Sequence, residues 1–165
     1  MRLYHGSNIT IENVDFSRCR PYKDFGRGFY LTDICEQAEK MAKRVARIYG
    51  GEPYVTEFEF NERALEDAAL NVRVFEAPTK EWAIFVVNNR NRLFGNIKDR
   101  ECNQDNKYDI VLGPVANDDL ALLFRQFSSG LIDEEILVRA MQYKKLTSQF
   151  SFHSDTALRY LTKVG

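Results

Sequence analysis

Lys23-Asp24-Phe25-Gly26-Arg27-Gly28-Phe29-Tyr30-Leu31-Thr32 is the stretch whose reading decides the fold. Lys23 to Gly28 is a polar loop punctuated by two glycines, and Phe29 to Thr32 is an apolar, aromatic strand. The order is informative. Doubly wound dinucleotide-binding units place the glycines after a strand and before a helix, whereas here the glycines precede a strand. Thr32 or Asp33 can cap a helix from about Ile34 to Tyr49, with Glu36 in the first turn where a negative charge suits the helix dipole. Ala38, Met41, Ala42, Val45 and Ile48 recur at helical spacing and predict one apolar face. Gly50-Gly51 stops that helix.

Upstream, Arg2 to His5 reads as an opening strand that ends in a turn at Gly6-Ser7, and Asn8 to Pro21 reads as loop. Downstream, Tyr54 to Phe60 alternates, with Tyr54, Thr56, Phe58 and Phe60 on one face. Leu70 to Phe75, Tyr108 to Val115 and Phe150 to His153 also read as strands. Pro78 to Asn91, Asp118 to Phe127 and Asp133 to Tyr143 read as helices, with Trp82, Phe85 and Val86 facing inward on the first of them. Ser154-Asp155 caps a last helix, Thr156 to Leu161. Strands and helices are mixed without strict alternation, which predicts an α+β domain. The chain has 165 residues, no repeat and no linker-like run, so 1–165 reads as a single domain.

Composition narrows the chemistry. A net charge of −1 gives no bulk attraction to nucleic acid or to an anionic membrane. Cys19, Cys35 and Cys102 are scattered and odd in number, and His5 and His153 lie near opposite ends of the chain. A disulfide framework and a zinc site are therefore not expected, and no metal is expected in the site. No apolar run approaches a membrane span and the opening lacks a signal-peptide core. The expected location is the cytoplasm, or a target cell reached by export that needs no cleavable signal.

Two clusters could carry chemistry. Tyr4-His5-Gly6-Ser7 places a histidine at a strand end beside a glycine, which permits close backbone approach, and a serine hydroxyl. Gly26-Arg27-Gly28-Phe29-Tyr30 is the second. For each, a plain structural role competes: a packed strand-end histidine, and a tight loop entering a core strand.

Taken in order, Tyr-His-Gly-Ser, then Gly-Arg-Gly-Phe-Tyr-Leu-Thr-Asp, then Gln37-Ala38 opening a helix, the clusters resemble the poly(ADP-ribose) polymerase-like branch of the ADP-ribosyltransferases. Closer still is the resemblance to a small bacterial group of ADP-ribosyltransferases named for a His-Tyr-Asp signature. That likeness includes Tyr108-Asp109-Ile110-Val111-Leu112-Gly113-Pro114-Val115-Ala116 and Gln149-Phe150-Ser151-Phe152-His153, so it spans most of the chain. It implies a split mixed β-sheet core flanked by helices. It also implies NAD as the ADP-ribose donor, transfer of ADP-ribose to a macromolecule, and release of nicotinamide.

The resemblance further implies roles for single residues. His5 would bond the adenosine ribose, the Gly6 backbone the nicotinamide carboxamide, and Tyr30 would stack on the nicotinamide ring. A π face attracts that cationic ring by ~1–2 kcal/mol when desolvated. Ser7, Arg27, Gly28 and Phe29 complete the implied cofactor-binding set, with Arg27, Lys23 and Arg20 able to meet the pyrophosphate. The third catalytic position departs from the pattern: Gln149 stands where the polymerase branch has a Glu, and Gln can bond a ribose hydroxyl but cannot act as a base. The signature suggests an Asp in its stead, for which Asp109 is the candidate and Asp118 and Asp119 the reserves. The competing reading of Asp109 is a strand-edge carboxylate bonded to backbone, and His153 reads as structural.

Mono-ADP-ribosyl transfer is thus the first expectation, with the toxin or effector role of many small relatives, an acceptor of protein or nucleic acid, and an antitoxin or immunity partner as its corollaries. A catalytically inactive module binding NAD or ADP-ribose is the second, motivated by Gln149. An RNA 2′-phosphotransferase is the third and ranks low, because Tyr30 stands where that family has a second histidine.

Overall fold

The computed structural model describes residues 1–93, 101–142 and 146–165. Among these residues seven strands form two sheets. The first has three strands, β1 (Arg2–Ser7), β3 (Tyr54–Phe60) and β7 (Leu161–Lys163), all antiparallel, in the order β1-β3-β7. The second has four, β2 (Phe29–Leu31), β6 (Ser148–Phe152), β5 (Ile110–Pro114) and β4 (Val72–Val74), in the order β2-β6-β5-β4. Only β4 and β5 run parallel, so this sheet is mixed. The sheets touch through one bridge, where Tyr4 and Thr32 exchange backbone hydrogen bonds of 2.8 and 3.0 Å. The α+β expectation and the split core flanked by helices agree with this architecture.

Alternation along β6 explains why the second sheet is covered on both faces. Phe150 and Phe152 join Leu3, Phe29, Phe58 and Phe60 in a core between the sheets. On the far face, Val111 and Phe25 pack with Trp82, Phe85 and Val86 of α2 (Lys80–Arg90) and with Leu120, Phe124, Leu137 and Met141 of α3 (Asp118–Ser128) and α4 (Glu134–Met141). Trp82 is fully buried and its indole N–H donates to the Pro114 carbonyl at 3.2 Å. Helices α2, α3 and α4 begin at Thr79, Asn117 and Asp133, each accepting a backbone N–H as an N-cap.

Several local expectations are corrected. β1 does not turn at Gly6-Ser7: both residues continue the ladder, opposite Val55 and Tyr54. Neither Thr32 nor Asp33 caps α1 (Cys35–Tyr49); its first flanking residue is Ile34, without a side-chain cap, while Thr32 Oγ1 bonds Ile34 N–H and the Gln37 side chain. Only Ala38 and Ala42 of the α1 stripe reach the core; Met41 and Ile48 are exposed. Tyr54 is exposed as well, because β3 overhangs the core at that end. The expected terminal helix is one turn, α5 (Asp155–Leu158), after which the chain turns back into β7 to satisfy the edge of β3. Tyr143, the expected end of α4, lies outside the described residues. No helix among the described residues is long and apolar enough to cross a membrane.

Candidate functional site

The glycine loop is held from behind by a buried histidine. His153 Nδ1 lies 2.7 Å from the Arg27 carbonyl, and the Ser151 hydroxyl sits between His153 Nε2 at 2.8 Å and the Val111 carbonyl at 3.1 Å. Gly28 is required for this contact, since a Cβ there would fall 2.5 Å from His153 Nδ1 and 2.8 Å from the Phe152 carbonyl. Burial is the main cause that pushes His153 down to about 4, against the opposing pull of the Arg27 carbonyl and the Asp109 charge. The structural reading of His153 fits these contacts.

A pH prediction follows. The unfolded chain binds a proton on His153 below about 6.5, whereas the folded chain refuses it until about 4. Stability from this group is present above about 6.5 and lost as pH falls through that window, by about 3 kcal/mol at most. Urea unfolding from pH 7 to pH 4 should show a steeper loss for the wild type than for His153→Asn. Parallel curves would remove His153 from the account.

In front of the loop lies an open groove of about 690 Å³. β1 supplies His5, Gly6 and Ser7; β2 and its loop supply Gly28, Phe29 and Tyr30; α1 supplies Gln37, Met41 and Arg44; Val115 and Gln149 complete the lining. His5 Nδ1 lies 2.7 Å from the Tyr30 carbonyl, which assigns the proton to Nδ1 and leaves Nε2 as an acceptor with no partner among the described residues. Burial lowers His5, outweighing the Tyr30 bond, and Lys23 adds to the lowering, so the ring is neutral at pH 7. The Tyr30 hydroxyl donates to the Gly26 carbonyl at 2.7 Å and accepts the Phe25 N–H at 3.0 Å. Burial first, and the Asp24 charge second, hold that phenol well above its usual range. Tyr30 lines the groove, and the Lys23 ammonium stands 5.7 Å from its ring centroid.

The groove is cationic although the chain carries a net charge of −1. Arg18, Arg20, Lys23 and Arg44 line it, against Asp15 as the one carboxylate among its lining residues. Arg20 also stacks over Tyr49 at 4.3 Å. Four positive groups and one negative favour an anionic ligand.

The structure brings together most of the residues singled out in the sequence, and separates others. His5, Gly6, Ser7, Gly28, Phe29, Tyr30 and Gln149 all line the groove. Arg27 does not: it contributes its carbonyl to His153, whereas Lys23 and Arg20, named with it in the sequence, do line the groove. Asp109 does not either. Its carboxylate accepts the Asn71 N–H at 2.7 Å and its carbonyl accepts the His153 N–H at 2.8 Å, which pins the start of β4 and β5. Asp118 and Asp119 sit in the first turn of α3, away from the groove. Among the described residues no group of three or more His, Cys, Asp or Glu could hold a metal.

Two groups at the groove were not singled out in the sequence. Arg44 shares a helical edge with Gln37, Met41 and Ile48, spaced four, three and four apart, and this edge lines the groove. That signal was available one step away from the apolar stripe. Asp24 is the other. It is 8% exposed, and its carboxylate collects Arg90, the Ala116 N–H at 3.2 Å and Gln149 Nε2 at 2.8 Å. Nothing near Asp24 in the sequence announces partners 66 to 125 positions away.

No curated protein and no solved structure matches this chain. A family model does match, over residues 1–162. The chain belongs to that family, described as protein of unknown function DUF3990.

Proposed function

We propose that the protein is a mono-ADP-ribosyltransferase that moves ADP-ribose from NAD to a macromolecular acceptor and releases nicotinamide. One observation carries the reading: a single cationic groove collects His5, Gly6 and Tyr30 from two different sheets. Its volume, about 690 Å³, lies within the usual range for small-molecule sites. On this reading the sheet pair is the ADP-ribosyltransferase core, and NAD enters as substrate.

Each part of NAD meets suitable chemistry. The Tyr30 ring attracts a cation on its face, as Lys23 already illustrates, and nicotinamide in NAD is cationic. Lys23, Arg20 and Arg44 answer the diphosphate charge. His5 Nε2 can accept a ribose hydroxyl. The bond from ribose C1′ to the nicotinamide nitrogen breaks with its electron pair going to that nitrogen, so neutral nicotinamide leaves. An acceptor nucleophile then bonds C1′ and gives up its proton. Positive charge develops at the ribose, where the Gln149 carbonyl dipole favours it less than a carboxylate would.

That weaker group supports a second reading, a module that binds NAD or ADP-ribose without turnover. Calorimetry with NAD, paired with nicotinamide release and with transfer of adenylate-labelled NAD into a cell lysate, separates the two. Transfer with release supports the transferase; binding without either supports the module; no binding sinks both.

A further inference from the structure

Gln149 faces the groove on one side and a buried carboxylate on the other. Its Nε2 donates to Asp24 Oδ2 at 2.8 Å and to the Pro114 carbonyl at 3.3 Å. Both neighbours are acceptors without a hydrogen of their own. Rotating the amide by half a turn would set Oε1 against a carboxylate and a carbonyl, losing two bonds and adding repulsion. The network therefore determines which end of the amide is which. Oε1 has no hydrogen-bond partner among the described residues and is not a buried orphan, so it is open to the groove.

We propose that Asp24 is a positioning residue that locks the Gln149 carbonyl oxygen toward the groove, so that at this point the site takes a ligand hydroxyl and rejects an anion or a bare acceptor. Asp24 is itself held: Arg90 Nε donates to Oδ1 at 2.8 Å, Arg90 Nη2 bonds the same oxygen, and the Ala116 N–H reaches Oδ2. The anchor is thus a charged group fixed by three hydrogen bonds, two from α2 and one from the loop after β5, and its bond to Gln149 is a charge-assisted one. The pairing also explains why a glutamate is absent from position 149. A carboxylate there would meet Asp24 Oδ2 at hydrogen-bond distance, and two such groups cannot both ionise cheaply. The lock stands on the geometry alone. Identifying the hydroxyl as that of the nicotinamide ribose rests on the NAD reading.

The test uses Gln149→Glu, alone and combined with Asp24→Asn, with Asp24→Ser in reserve should the asparagine variant not fold. Carbon-13 NMR follows the introduced carboxyl. Facing Asp24, it should titrate at least one unit above the ordinary value of about 4.3, and the second substitution should bring it back down. An ordinary value in both backgrounds overturns the lock. For the ligand, NAD is compared with its analogue lacking the 2′-hydroxyl on the nicotinamide ribose. The wild type should bind the analogue tenfold or more weakly, and Gln149→Leu should bind the two alike. Equal binding by the wild type overturns hydroxyl selection. Failure of the wild type to bind NAD at all overturns the NAD reading and the ribose assignment with it, while the NMR titration still decides the lock.

Discussion

Replacing Tyr30 by alanine should lower kcat/KM for nicotinamide release by about 10²–10³-fold, equivalent to roughly 3–4 kcal/mol. Three losses add. The ring is the aromatic platform of the groove, worth about 1–2 kcal/mol toward a desolvated cation. The hydroxyl ties Gly26 and Phe25 to the strand through bonds of 2.7 and 3.0 Å, each contributing about 1 kcal/mol. The Tyr30 carbonyl also orients His5, and a loosened strand would release that ring from its single tautomer. Tyr30→Phe separates these effects. It keeps the platform and forfeits the hydroxyl bonds, so about a tenfold loss is expected, with a lowered melting temperature. Steady-state release of nicotinamide with both variants decides the matter. Activity of Tyr30→Ala within threefold of the wild type would remove Tyr30 from the site.

Gly6→Ala should be the most damaging small substitution for the fold. A Cβ at Gly6 would lie 2.0 Å from the Ala38 carbonyl oxygen and 2.8 Å from the Ala42 nitrogen, both backbone atoms of α1. Backbone cannot rotate aside as a flexible side chain can, so α1 must move bodily off β1. Overpacking of this kind costs about 3 kcal/mol. For a chain of 165 residues that is a fall of roughly 6–12 °C in Tm. The groove suffers as well, because α1 carries Gln37, Met41 and Arg44 into its wall. Gly130→Ala is the matched control: nothing lies within 4 Å of its Cβ, and only its positive φ of 78° is penalised, by about 1 kcal/mol. Calorimetric melting of the pair gives the comparison. Equal shifts would mean that the close approach of α1 to β1 is not what Gly6 is for.

Gly6 also shows how the sequence can point to the right residue for an incomplete reason. In sequence it reads as room for a ligand, and it does line the groove, yet its closest constraint is a helix backbone. The same split runs through α1. Its 3.6-residue stripe was legible, but periodicity alone cannot distinguish a core from the wall of a groove, and Met41 and Ile48 belong to the latter. Terminal segments were the least legible. β7 has three residues and exists because β3 offers it an open edge, which is a property of another part of the chain.

What the sequence by itself determined is what depends on near neighbours: the loop-then-strand order around Gly26 to Leu31, the α1 and α2 helices and the alternation of β3; the grouping of a His-Gly strand with a Gly-Phe-Tyr strand as one candidate pocket came from the family resemblance. What only the tertiary structure decided is which of the candidate residues reach the groove. Gln149 occupies the place of the polymerase-branch Glu and Asp109 is the candidate that the signature suggests, and neither strand context says which of them faces the groove. The β5–β6 register sets Gln149 opposite Gly113, where it lines the groove, while Asp109 precedes β5 and spends its carboxylate on Asn71. The group behind Gln149 is Asp24, 125 positions away. A buried carboxylate must find its donors wherever the fold brings them, and no local pattern records donors that arrive from α2, from the loop after β5 and from β6 at once.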